Sequence, residues 1–189
     1  MARDLVKHGH RVTACDASYE LLKLARSADD ASDYLRCDAA VLPFLDGSFD
    51  LAVFYNSLMD IDDMESSLHE AARVLRVGGK ICACVTHPIP DAGRFESHDD
   101  DARFVISGTY LGERRRIELM PVDRDGLRMT FAGWAYPLEG YFRALEDAGF
   151  AIEAVREPRV DGGSARWKRI PMFLMWRAVK TGAGRARGA

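Results

Sequence analysis

Between Cys37 and Ser57 the chain reads Cys-Asp-Ala-Ala-Val-Leu-Pro-Phe-Leu-Asp-Gly-Ser-Phe-Asp-Leu-Ala-Val-Phe-Tyr-Asn-Ser, an order that leaves few folds open. A short apolar segment, Tyr34-Leu35, leads to acidic Asp38. Pro43 fixes φ in the loop that follows, and Asp46-Gly47-Ser48 supplies turn chemistry. Leu51-Ala52-Val53-Phe54-Tyr55 is then an unbroken apolar run, the pattern of a strand covered on both faces. It ends on polar Asn56-Ser57. In open α/β sheets, ligands bind just past the carboxyl ends of such strands.

The flanking sequence extends the pattern. Residues 2–8 read as the end of a helix, stopped at Gly9, and Arg11–Cys15 as a strand running into Asp16. Ser18 is an N-cap for a helix from Tyr19 to Ser27 with Leu21, Leu22 and Ala25 on one face. Beyond the central run, Met64, Leu68, Ala71, Ala72 and Leu75 recur at helical spacing, Gly78-Gly79 is the expected stop, and Lys80–Val85 is a further strand. Strand and helix alternation of this kind predicts right-handed βαβ units and a mostly parallel sheet. Residues 89–137 are less regular, with extended segments around 104–106, 116–119 and 127–131. Asp123–Gly126 is the expected hairpin turn between the last two. A helix from Leu138 to Ala148 and strands at 150–155 and 172–179 complete the chain. The glycine- and arginine-rich tail 181–189 reads as disordered, leaving one domain over residues 1–180.

Composition narrows the function classes. A net charge of −3 gives no electrostatic case for nucleic acid or a membrane surface. No apolar run approaches the roughly 20 residues that span a bilayer, and the polar opening Met-Ala-Arg-Asp-Leu-Val-Lys-His is not a signal peptide. Four cysteines beside apolar segments, with no second ligand pair spaced for zinc, fit reduced thiols and no metal. The expectation is a cytoplasmic protein, monomer or homodimer.

Two carboxylates, Asp16 and Asp38, end successive strands. The first is placed to accept from ribose hydroxyls, the second from an adenine amino group; either could instead be a turn or cap aspartate. At this point the pattern resembles a known family. Gly9-His-Arg-Val…Asp16-Ala-Ser, Asp38-Ala…Leu42-Pro-Phe…Asp46-Gly-Ser-Phe-Asp-Leu51 and Arg73-Val-Leu-Arg-Val-Gly-Gly79 resemble the class I S-adenosylmethionine-dependent methyltransferases of small-molecule type. The likeness continues through Trp134–Tyr141, Ala148–Phe150 and Glu157-Pro158 to Arg169–Leu174.

The resemblance implies a methyl transfer from S-adenosylmethionine to a small-molecule acceptor. Asp16, Ala17 and Ser18 would line the ribose, Asp38 and Ala39 the adenine edge, and Leu42 its face. Tyr55, Asn56 and Ser57 would lie beside the methionine portion. His87, Pro88 and the 89–137 segment, including Tyr110 and Trp134, would shape the acceptor pocket, with His87 the candidate base. The fold implied is a Rossmann-like doubly wound sheet, mostly parallel, with an antiparallel C-terminal strand.

One departure shapes the expectations. The family's glycine-rich G-x-G-x-G loop and the strand before it have no counterpart in residues 1–10. The expected fold therefore lacks its first strand, as in a truncated reading of a normal enzyme. Strands 11–15 and 51–55 would then stand about 10 Å apart or pair directly. Residues 1–189 alone would be poorly stable and bind S-adenosylmethionine weakly or not at all. The alternatives are a non-catalytic methyltransferase-like binding module and a nicotinamide-dependent oxidoreductase. No Tyr-x-x-x-Lys pair supports the latter, Tyr141 being followed by Leu145.

Overall fold

The computed structural model describes residues 1–28, 32–118, 121–124, 127–129, 132–159 and 164–182. The expected tail therefore lies outside the described residues from Ala183 onward, as do Asp125 and Gly126 of the expected turn.

Helix α1 (Ala2–Lys7) closes at Gly9, whose φ of +88° suits a residue without Cβ. Strand β1 (Thr13–Asp16), helix α2 (Tyr19–Ala28) and strand β2 (Asp33–Arg36) follow. β1 and β2 pair in parallel, Thr13 opposite Asp33 and Asp16 opposite Arg36. Strand β3 (Phe49–Tyr55), helix α3 (Met64–Val74) and strand β4 (Leu75–Thr86) form the next βαβ unit, with β3 and β4 parallel. Asp63 caps α3, its carboxylate accepting from the Ser66 N–H at 2.9 Å.

α3 ends four residues before the expected glycine stop. Leu75 is already extended (ψ 140°) and pairs with Phe49. The register then jumps from Phe49–Leu75 to Leu51–Lys80, so Arg76–Gly79 form an excursion within β4. Gly78 there has φ +78°, and a Cβ on Gly79 would sit 2.8 Å from the Arg76 carbonyl oxygen.

In the middle of the chain β5 (Gly93–Phe95) pairs with β6 (Phe104–Ile106). β7 (Arg115–Glu118) encloses the hairpin of β8 (Val122–Arg124) and β9 (Leu127–Met129), and pairs beyond it with β10 (Ala132–Ala135). The segment at 127–129 thus pairs with 122–124, not with 116–119 as the sequence suggested. Helix α4 (Leu138–Asp147) and strands β11 (Phe150–Arg156) and β12 (Phe173–Lys180) close the fold. The main sheet has the order β11-β12-β4-β3, with β12 antiparallel to both its neighbours. It is the α/β sheet expected, with an antiparallel C-terminal strand.

β1 and β2 form a separate two-stranded sheet, and no pairing between β1 and β3 joins the two sheets among the described residues. Of the two arrangements expected for these strands, direct pairing does not occur. β3 is consequently an edge strand of its sheet, and its apolar run is only partly buried rather than covered on both faces. The deep core lies instead around α3, α4, β4 and β12, where Leu68, Leu75, Ile81, Val85, Leu145 and Leu174 are all at most 1% exposed. Each contributes about 1.5–3 kcal/mol by burial.

A candidate ligand site at the carboxyl ends of the strands

The exits of β1 and β2 lie side by side, because the Cys37 N–H donates to the Asp16 carbonyl at 3.3 Å. Asp16 Oδ1 accepts from the Ser18 N–H at 2.8 Å, and Ser18 Oγ accepts from the Leu21 N–H at 3.3 Å as α2 begins. The Ala17 carbonyl accepts from Arg36 Nε at 3.0 Å. Asp38 makes a matching turn, its Oδ1 accepting from the Ala40 N–H at 2.9 Å, with Ala39 inside that turn. Each aspartate therefore uses one carboxylate oxygen locally and retains acceptor capacity on the carboxylate. Leu42 follows, partly buried, its N–H donating to Glu70 Oε2 at 2.7 Å.

β3 ends differently. Tyr55 is half exposed, and Asn56 has φ +50°, the one non-glycine residue with positive φ among the described residues. A left-handed residue at a strand exit is a strained backbone that its surroundings must hold. Its N–H donates to the Cys84 carbonyl at 2.7 Å, tying it to β4. The Asn56 Oδ1 is buried and has no hydrogen-bond partner, which costs about 1–3 kcal/mol unless a donor arrives. Ser57 leads the turn Leu58–Asp60, its carbonyl accepting from the Asp60 N–H at 2.9 Å. None of the hydrogen bonds among the described residues joins Asn56 to Asp16 or Asp38.

At the exit of β4, His87 is 3% exposed and both ring nitrogens are engaged. Nδ1 accepts from the Ile89 N–H at 3.2 Å, which places the proton on Nε2, 3.0 Å from Glu157 Oε1. Burial lowers its pKa, with Glu157 opposing. A ring so occupied has no free lone pair for a substrate proton. His87 ties the β4 exit to the segment after β11. Pro88 beside it is buried and opens a short turn, its carbonyl accepting from the Asp91 N–H at 3.3 Å.

The β7–β10 pair sits on the turn after β3. A Cβ on Gly133 would lie 2.9 Å from the Met59 carbonyl oxygen and 3.0 Å from Asp60 Oδ1. Trp134 Nε1 donates to Asp62 Oδ1 at 2.9 Å, and the Arg114 and Arg116 guanidinium carbons lie 4.2 and 5.3 Å from its ring centroid. Arg114 also donates to the Asp62 carbonyl and, at 3.2 Å, to Tyr136 Oη. Tyr110 lies apart from Trp134 in its bonding: its Oη accepts from the Leu138 N–H at 3.1 Å, at the start of α4.

Asp91 was not singled out by its sequence, where it is one acidic residue in an irregular segment. Its backbone carbonyl accepts from Arg115, and burial pushes its carboxyl from 3.8 up to about 6, the Arg115 charge opposing. It acts in turn on the buried Tyr141 hydroxyl, whose pKa is raised chiefly by burial. Between about pH 4 and 6 the native state therefore holds more protons here than the unfolded chain. Asp91 makes stability fall as pH rises through that window and stay lower above it. Asp91→Asn is expected to stabilise the protein at pH 7.5 by on the order of 1–2 kcal/mol and to flatten the dependence between pH 4 and 6. Urea titrations at pH 4, 6 and 7.5 check this; an unchanged pH dependence contradicts it.

Two grooves stand out on the surface. The larger, ≈630 Å³, runs between α4 and β11 beside Phe142, Arg143, Phe150 and Thr181, and none of the candidate site residues lines it. The other, ≈270 Å³, borders Asp16 and Cys15 with Met1, Leu21 and Tyr34. The strand exits carry the polar chemistry, so volume is not the guide here. Among the described residues no group of three or more His, Cys, Asp or Glu could hold a metal ion, and no helix is long and apolar enough to cross a membrane.

Residues 1–83 match a family described as a methyltransferase domain. The ubiquinone/menaquinone biosynthesis C-methyltransferase UbiE of Desulfotalea psychrophila is 34% identical over 120 residues, 53% of this chain and 49% of that protein. The demethylmenaquinone methyltransferase of Clavibacter sepedonicus is 35% identical over 91 residues, 46% of this chain and 37% of that protein. The chain thus spans about half or less of the length of these curated relatives. Among solved structures, an S-adenosylmethionine-dependent methyltransferase from Mesorhizobium loti superposes with a TM-score of 0.67 at 24% identity, covering 89% of this chain and 80% of that one. A second, from Listeria monocytogenes, gives 0.70 at 16% identity over 90% and 80%.

Proposed function

We propose that this chain, which shares its fold with S-adenosylmethionine-dependent methyltransferases and whose residues 1–83 match a methyltransferase domain, methylates a small-molecule acceptor at the strand exits. The observation that carries this reading is Asn56, a strained residue at the β3 exit whose buried Oδ1 lacks a donor. An ammonium or amide donor on a bound ligand would satisfy it.

The donor set fits the methyl donor in kind. Asp16, with Ala17 and Ser18, is suited to ribose hydroxyls; Asp38 and Ala39 to the adenine edge; Leu42 to the ring face; and Tyr55, Asn56 and Ser57 to the methionine end. When bound, S-adenosylmethionine supplies an electrophilic methyl carbon on a sulfonium. The chain's task is then to hold donor and acceptor in line and keep water out, an effect worth several kcal/mol. The Trp134 platform and the β7–β10 pair, seated on the turn after β3, are suited to cover the acceptor. Tyr110 and Pro88 shape its rim, and His87 serves this pocket by fixing the β4 exit rather than as its base. Asp91, in the turn after β4, has a carboxyl that burial pushes up to about 6.

The acceptor we favour is a planar aromatic ring of the quinol type, which the aromatic surroundings suit; two relatives are named for ubiquinone/menaquinone biosynthesis and for demethylmenaquinone. The protein would act in the cytoplasm as a monomer or homodimer, without nucleic acid. The test is incubation with methyl-tritiated S-adenosylmethionine and a short-chain demethylmenaquinol. Label in the organic extract, lost in Asp16→Ala, is the expected result. Cofactor binding without label in any acceptor tried supports a binding module instead. Absence of binding at millimolar cofactor contradicts the reading outright.

A further inference from the structure

The loop between β2 and β3 carries the residues assigned above to the adenine, yet it buries little apolar surface. Val41 is 72% exposed and Leu45 81%, and its apolar anchor is an edge contact of Phe44 on Phe49 at 4.9 Å between ring centroids. Hydrophobic burial therefore does not fix its shape. A single side chain on α3 does much of that. Arg73 donates from Nε to Glu70 Oε1 at 2.7 Å, and from Nη1 to the Phe44 carbonyl and Asp46 Oδ1, both at 2.7 Å. From Nη2 it reaches the Leu42 carbonyl and Glu70 Oε2, both at 2.8 Å. A guanidinium has five N–H donors in a rigid plane, and here all are used. Glu70 closes the ring by accepting the Leu42 N–H at 2.7 Å, and the Gly47 N–H donates to the Arg73 carbonyl at 3.0 Å. Both atoms of the Leu42 peptide group that can bond are thus held by one ion pair, four residues after Asp38.

We propose that Arg73, with Glu70, is a positioning residue for nucleobase recognition: it sets Leu42 and the Asp38–Ala39 turn at the height an adenine requires. The inference rests on the methyltransferase reading, since it takes this loop as the adenine-facing one. Arg73 touches no ligand; it acts through the loop. A lysine in its place keeps the charge but reaches one or two of the five acceptors, because an ammonium has no planar fork.

The experiment uses the full chain, its Arg73→Lys and Arg73→Met variants and the milder Glu70→Gln, which keeps an acceptor for the Leu42 N–H. Two probes differing at one position of the base are compared by calorimetry: S-adenosylhomocysteine, and its inosine counterpart with a 6-oxo group in place of the amino group. The parent is expected to prefer the adenine form by about tenfold or more, the worth of one well-placed hydrogen bond. In the Arg73 variants the preference should fall to about twofold or less, with Glu70→Gln between. Amide hydrogen exchange at Leu42 and Gly47 should accelerate at least about tenfold in the Arg73 variants, while amides of β4 and β12 stay protected. A merely structural role would weaken both probes equally and leave their ratio intact, which overturns the proposal. So does unchanged exchange at Leu42. Should the Arg73 variants fail to fold by circular dichroism, Glu70→Gln decides by the same ratio. A parent that binds neither probe refutes the methyltransferase reading itself, a result distinct from a retained preference in the variants.

Discussion

Leu58→Ala is expected to cost about 2–5 kcal/mol of stability, the range for a large aliphatic side chain removed from a packed core. Leu58 is 0% exposed, two residues beyond strained Asn56, and belongs to the core cluster with Leu68, Ile81 and Tyr136. It is the apolar anchor of the turn on which Gly133 and the β7–β10 pair rest. Its loss therefore removes transfer energy and leaves a cavity beneath the candidate site. For a chain of this size the melting temperature should drop by roughly 5–15 °C. Leu45→Ala, at a side chain 81% exposed, is the control and should stay within about 0.5 kcal/mol. Urea unfolding of both variants checks the pair. A Leu58→Ala loss below about 1 kcal/mol would mean that this turn is not held by its buried face.

Asp16→Ala is expected to weaken S-adenosylhomocysteine binding by about 1.5–3 kcal/mol, the worth of a hydrogen bond to a charged group, or roughly 10- to 150-fold in Kd. The substitution has a second effect, because Asp16 Oδ1 also holds the Ser18 N–H at the start of α2. Asp16→Asn separates the two. It keeps an oxygen for Ser18 but has neither the charge nor the second acceptor oxygen. If Asp16 serves a ligand, the asparagine variant should melt close to the parent and bind nearly as poorly as the alanine variant. If Asp16 is a turn residue and no more, the asparagine variant should bind like the parent. Calorimetry beside a thermal melt distinguishes these outcomes.

Much of this architecture was legible in the sequence because the signals are local. Helices α2, α3 and α4 follow from apolar residues spaced three and four apart, and the parallel β3–α3–β4 unit from the order of its apolar runs. What failed depends on distant partners. The exposure of β3 was missed because an apolar run reads as buried on both faces, whereas its burial is set by neighbouring strands. The end of α3 was placed at Gly78-Gly79, but Leu75 leaves the helix to pair with Phe49, 26 residues earlier. The nested β8–β9 hairpin has the expected turn sequence, yet nothing local tells which strands that turn joins.

The candidate site divides along the same line. Asp16, Asp38 and Asn56 could be named because each follows a strand in sequence. The engagement of His87 could not, since Glu157 lies 70 residues away. Arg73 was quoted only as part of a motif. Its partners in the loop lie 27 to 31 residues back, and two of those three are backbone carbonyls, which any residue could offer. The separation of the β1–β2 sheet from β3 bears on affinity as well: the Asp16 and Asn56 sides of the site are not coupled through one hydrogen-bonded sheet. Binding by residues 1–189 is accordingly expected to be weaker than a site built on one continuous sheet would give.

Amide chemical-shift mapping of the isotope-labelled chain with S-adenosylhomocysteine, titrated to several millimolar, tests the account most directly. It predicts saturable shifts at residues 16–18, 38–42 and 55–58, with smaller ones at the Trp134 indole. Shifts confined to the larger groove between α4 and β11, around Phe142, Phe150 and Thr181, or no shifts at all, would contradict it.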